Sequence, residues 1–267
     1  MRSGNANSGT RWADAELTAR AQPLVEYTLR LADDALVLSQ RLGEWITRAP
    51  ELEEDVALAN IALDLLGQAR ALLTYAGQTE GAGRDEDALA YLRDDREFRN
   101  VLLVEQPNGD FAVTMARQLV FAAYQYELYD RLRASADQTL AAVAAKAVKE
   151  VAYHREHAAL WVRRLGDGTD ESRLRMVAGL DAIRPFVDEL FDTDDLISQL
   201  GAVAVDPADL REPWAAYVDA VLIDVGLELP DPDHTARGGR LGLHGEALGY
   251  LLAEMQHLHR SHPGASW

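Results

Sequence analysis

The chain has 267 residues, is 48% hydrophobic and carries a formal net charge of −18 at pH 7. That is apolar material enough for a sizeable packed core, while the charge repels nucleic acid and anionic membrane surfaces. The absence of cysteine excludes disulfides, thiolate metal sites and cysteine nucleophiles.

No unbroken apolar run approaches the ~20 residues that span a bilayer. The opening stretch MRSGNANSGTRW lacks the apolar middle of a signal peptide. It reads as part of a disordered tail over 1–20, and the expected location is the cytoplasm. Residues 21–267 read as one helical domain, because Ala, Leu, Glu and Arg dominate and alternating strand patterns are nearly absent. Long helices are predicted at roughly 14–47, 51–77, 110–135 and 137–166, with a shorter one near 84–97. Further helices are predicted near 171–192, 207–226 and 242–260. Pro50 followed by Glu51, Glu53 and Glu54 marks a helix start, with proline in the first turn and acids at the positive end of the dipole. PNGD at 107–110 is a turn ending in an Asp cap. The implied fold is all-α: a four-helix bundle with additional C-terminal helices.

Two of these helices carry a detailed apolar pattern. In the fourth long helix Leu140, Ala147, His154 and Trp161 recur every seven residues, beside Ala144, Val151, Ala158 and Leu165. Together they form one packing seam. The second long helix has two rows. Leu52, Val56, Ala59, Leu63 and Leu66 make one, and Leu58, Ala62, Leu65, Ala69 and Leu72 the other. Only Asn60, Asp64 and Gln68 keep a polar stripe. A helix apolar around most of its girth is buried on more than one side, inside the domain or where two chains meet.

Four-helix di-iron proteins take a Glu from each of two helices and Glu-x-x-His from each of the other two. The carboxylates bridge and neutralise two hard cations. DLLGQA at 64–69 and EVAYHREHA at 150–158 have that outline but place Leu65, Gln68, Val151 and His154 at the ligand positions. Asp64 and Glu150 sit one residue early, about 100° round the helix. His154 therefore reads as a hydrogen-bonded core histidine, and His157 as a surface or interface residue. A di-iron carboxylate oxygenase built on the displaced acids Asp64 and Glu150 is the competing reading, and iron storage is a further one. Glu127 and Asp130 in YQYELYD are the carboxylates nearest a third-helix ligand position, without a matching partner. HLHRSH at 257–262 reads as a solvated C-terminal end.

Several long segments resemble the C subunits of bacterial 1,2-phenylacetyl-CoA epoxidase. They include LADDALVLSQRLGEWITRAPELEEDVALANIALDLLGQARALLTYAG, FRNVLLVEQPNGDFAVTMARQ and LAAVAAKAVKEVAYHREHAALWVRRLGDGTDES, and the likeness runs from about residue 24 to the C-terminus. The resemblance implies a ferritin-like fold and a non-catalytic structural subunit in aerobic phenylacetate catabolism. Di-iron and substrate would belong to the related catalytic A subunit, which this chain would bind. It further implies contacts with other subunits of that complex, and a self-dimer is the expectation when the A subunit is missing. By resemblance the first-helix ligand position is Ala35. The set of former ligand positions is then Ala35, Leu65, Gln68, Val151 and His154, with no cofactor expected in this chain.

Overall fold

The computed structural model describes residues 8–265, with side chains from residue 21 onward. Of the expected tail over 1–20, residues 1–7 lie outside the described residues, and Ser8 already begins a helix. The described residues form ten α-helices, of which this is the first. They are α1 Ser8–Gly43, α2 Leu52–Glu80, α3 Glu86–Tyr91, α4 Leu102–Glu105 and α5 Phe111–Leu132. Then come α6 Gln138–Gly166, α7 Asp170–Ile183, α8 Asp195–Leu200, α9 Arg211–Ile223 and α10 Glu246–Ser261. Short 3-10 turns join them, and no strand occurs among the described residues.

The four long helices α1, α2, α5 and α6 pack as two hairpins, α1 along α2 and α5 along α6, with α2 also against α6. This all-α arrangement is consistent with a ferritin-like bundle. α7 and α9 cover α5, and α10 closes the end carrying α3. Buried side chains from all of these form one contiguous core. The expected Asp110 cap is in place, accepting from the Val113 amide, and Asp137 caps α6 by accepting from the Thr139 and Leu140 amides. The α1–α2 connection turns sharply at Thr47, a β-branched residue in the left-handed region at φ 71°. Its amide donates to Asp55 at 2.5 Å, and Trp45 Nε1 donates to Thr114 on α5 at 3.0 Å.

By length and composition α2 could cross a bilayer, although polar residues interrupt its apolar sequence. Its two rows settle where it sits in this fold. Leu58, Leu65, Ala69 and Leu72 are fully buried in the core. Leu52, Val56, Leu63 and Leu66 are exposed.

Near the end of α2, Gly77 packs against backbone. A Cβ there would run into the Arg84 carbonyl oxygen, in the turn leading to α3. Gly77→Ala is expected to cost about 1–3 kcal/mol despite alanine's better helix propensity, because the turn must shift. Urea denaturation of the variant checks this, and a rise in stability would show that the turn yields freely.

Candidate functional site

The five positions that the resemblance marks as former ligands are all buried in the bundle. Ala35 on α1, Leu65 on α2 and Val151 on α6 are fully buried among apolar neighbours. Gln68 and His154 are nearly so. The periodicity that placed them together follows from their i, i+3 spacing, which sets each pair on one helix face.

The displaced acids meet these two polar survivors. His154 Nε2 lies 3.1 Å from Asp64 Oδ2, and Gln68 Nε2 donates to Glu150 Oε2 at 3.1 Å. Lys146 pairs with the other Glu150 oxygen at 3.3 Å. Burial holds His154 below the ordinary histidine range, against the raising effect of Asp64. It therefore stays neutral at pH 7 and donates Nε2–H to the carboxylate. A third rung follows one turn on, where His157 Nε2 contacts Glu54 Oε2 at 2.7 Å. His157, expected at the surface or an interface, is buried in this pair. The side chain of α2 that reaches it, Glu54, lies more than 100 residues away in sequence, and local pattern carries no trace of it.

These rungs link α2 to α6 by hydrogen bonds where a di-iron protein links its helices by metal. The donor set does not suit two irons. Three of the five positions are hydrocarbon, and Asp64 and Glu150 are occupied at the rim by His154, Gln68 and Lys146. Gln68 Oε1 has no partner among the described residues, yet one neutral amide oxygen balances no cationic charge. No group of three or more His, Asp or Glu among the described residues is arranged to hold a metal. Glu127 faces Arg155 at 3.8 Å and Asp130 pairs with Arg133, so neither reaches the centre. His259, from the stretch read as solvated, lies within α10 and stacks on Tyr91 of α3.

A larger polar network lies elsewhere on α1. Asp33 accepts both Arg93 terminal nitrogens, one at 2.9 Å, and the Arg99 amide at 2.8 Å. Asp34 accepts two bonds from Arg240, at 3.0 and 2.7 Å, and one from the Val101 amide at 2.8 Å. Burial nevertheless raises the Asp34 carboxyl above its ordinary value, against the lowering effect of Arg240. Glu189 takes the amides of Leu102, Gly238 and Gly239 at 2.6, 2.8 and 2.7 Å. Glu105 takes Asn100, His244 and the Gly245 amide. Buried carboxylates thus satisfy the backbone of the irregular stretches 99–102 and 238–245, which no helix or sheet ladder serves. On the neighbouring side Arg117 is fully buried, donating to the Gln106 carbonyl and to Asn108 at 2.6 Å each. Burial, with Arg41 nearby, pulls its guanidinium down to about 9.

Sequence comparison bears on this geometry directly. A family model described as phenylacetic acid catabolic protein matches residues 8–267. The chain is 52% identical over 247 residues to the C subunit of the 1,2-phenylacetyl-CoA epoxidase of Escherichia coli (strain K12). That alignment covers 91% of this chain and 99% of the relative. Matched over nearly its whole length, this helical chain belongs to the phenylacetic acid catabolic protein family.

Proposed function

We propose that this chain is a non-catalytic, structural subunit of a phenylacetyl-CoA epoxidase complex in phenylacetate catabolism, and that it binds and supports a paralogous catalytic partner that carries di-iron. The observation that carries the reading is the pairing of an apolar bundle centre with an exposed apolar row on α2. Leu65 and Val151 stand where bridging carboxylates are needed. On the opposite side of α2, Leu52, Val56 and Leu63 are 76%, 53% and 63% exposed. Exposed apolar side chains in one contiguous row mark an interaction surface. Stable contacts of this kind bury at least ~2,000 Å² and are more apolar than transient ones.

The relative's name supports the pathway and the multisubunit setting. Other subunits of the complex are further partners, and a self-dimer through the same face is the arrangement proposed for the isolated chain. The cytoplasm is the proposed location. The alternative, an oxygenase using Asp64 and Glu150, would need both acids freed from His154 and Gln68.

The test is co-expression with the neighbouring A-type subunit, followed by size exclusion and iron analysis. Co-elution is expected, with iron following the A subunit. The isolated chain, loaded anaerobically with ferrous iron, is expected to show no di-iron spectrum after desalting. A tightly held di-iron centre in the isolated chain would overturn the reading, as would a failure to co-elute.

A further inference from the structure

The contacts of His244 fix where its protons are. Its Nδ1 lies 2.7 Å from Glu105 Oε2, and its Nε2 lies 3.1 Å from the Phe98 carbonyl oxygen. The side chains of His244 and Glu105 are 2% and 0% exposed. A carbonyl oxygen only accepts, so Nε2 must donate. The bond to Glu105 also needs a proton, because an unprotonated Nδ1 would face a carboxylate lone pair to lone pair. Glu105 also accepts from Asn100 Nδ2 at 3.0 Å and the Gly245 amide at 2.8 Å, so both its oxygens already serve as acceptors. The pair is therefore a buried imidazolium on a carboxylate.

Its position is at one end of a strap. Residues 238–245 cross α1 and lead into α10, whose N-cap is Gly245. At the far end Glu189 holds the amides of Gly238 and Gly239, and Arg240 holds Asp34. Between them the strap lies backbone on backbone. A Cβ at Gly242 would strike the Arg96 carbonyl, and Leu241 and Leu243 face solvent. Few apolar contacts hold this stretch, so its polar anchors decide whether it stays down.

We propose that the proton shared by Glu105 and His244 is a pH-sensitive latch, whose loss frees the 243–245 end of the strap and the first turn of α10 while the bundle stays folded. The charged groups beside this latch are Asp33 and Arg41 of α1, Arg41 donating to the Glu105 and Ala247 carbonyls, and Arg99, which donates to the Phe98 carbonyl that His244 also uses. Asp33 adds negative charge near the ring, whereas Arg93, Arg99 and Arg240 are engaged with Asp33, Glu26 and Asp34. Burial alone would lower the histidine, but its bond to Glu105 and that carboxylate's charge outweigh burial and raise it. A raised folded-state value means that the latch's stabilisation is complete below the ordinary histidine range. It is lost as pH rises through the raised value. Release would loosen Leu248 and Leu251, now buried, and re-present Tyr250 beside the exposed Ile46–Arg48 turn.

The experiment uses the full chain labelled with 15N-histidine, read by NMR across pH, with hydrogen exchange followed in parallel. His244 is expected to keep both ring protons above the ordinary histidine range. Once it titrates, amide protection at 243–248 should fall about tenfold per pH unit beyond the intrinsic rate. Gly238 and Gly239, held by Glu189, should keep theirs. His244→Gln should remove the pH dependence. If that variant does not fold, the NMR titration of the natural chain still decides. A singly protonated His244 at neutral pH would overturn the proposal, and so would protection that tracks only the intrinsic rate.

Discussion

Leu65→Asp is expected to leave no stably folded chain, whereas Leu63→Asp, two residues away, leaves the chain folded and abolishes the assembly proposed with an A-type subunit. The two side chains point about 200° apart on α2. Leu65 is fully buried at the bundle centre. Removing it costs about 2–5 kcal/mol in lost transfer and cavity terms. Burying a carboxylate in its place adds several more, since no cation lies there to pair with it. The sum, about 5 kcal/mol or more, matches the whole stability of a typical domain. Leu63 is exposed, and a polar substitution there changes the isolated chain by only about 0.5 kcal/mol. In an apolar contact the same aspartate would be desolvated and unpaired, at several kcal/mol, enough to weaken binding by at least about a hundredfold. Circular dichroism separates the folding effects, and co-elution with the A-type subunit reads assembly. Should Leu63→Asp assemble like the natural chain, the exposed row is not the contact surface, and the partner must bind elsewhere.

The contrast between those two leucines is visible in the sequence, because the two rows of α2 are a local signal. Rows spaced three and four apart need only helical geometry to be read, and Leu58, Leu65 and Leu72 against Leu52, Val56 and Leu63 sort into core and surface as periodicity requires. The seam of α6 behaves likewise, with Leu140, Ala144, Ala147, Val151, His154 and Ala158 buried and Trp161 and Leu165 half-buried at its end. The same geometry sets Asp64 and Gln68 on one face of α2 and Glu150 and His154 on one face of α6, and the two faces meet as Asp64–His154 and Gln68–Glu150. What the sequence did not disclose is the set of polar partners. Glu54 with His157, Asp33 with Arg93 and Asp34 with Arg240 join residues 103, 60 and 206 positions apart. A carboxylate on a helix looks alike whether it faces water or a guanidinium brought from the other end of the chain. The adjacent acids Asp33 and Asp34 are both buried. Their one local cue was the apolar sequence around them: LADDALVL has no polar face for two acids to occupy. Short helices such as α4 and α8 were also missed, since one turn carries no period to detect.

Breaking the Asp33–Arg93 pair is the second change expected to have a large effect. Asp33→Ala should cost about 3–5 kcal/mol, because it leaves Arg93 buried, charged and without its counter-ion. The two side chains are 0% and 2% exposed, so water cannot take the place of the carboxylate without opening the core. Arg93 would keep its bonds to the Leu89 and Glu97 carbonyls, but neutral dipoles do not cancel a full charge in a medium of low polarisability. The Arg99 amide, which donates to Asp33, would lose its acceptor as well, adding about 1–3 kcal/mol if it stays buried. Replacing both partners together tests the cause. In Asp33→Leu/Arg93→Met the charge and the orphaned guanidinium disappear at once, and apolar pairs of similar volume often match buried ion pairs in stability. The double variant is therefore expected to recover at least about 2 kcal/mol relative to the sum of the single changes. Urea denaturation of the natural chain, both single variants and the double variant measures that coupling. Strict additivity would mean that the two residues act independently, and that the pair is not what pins the 93–101 stretch to α1.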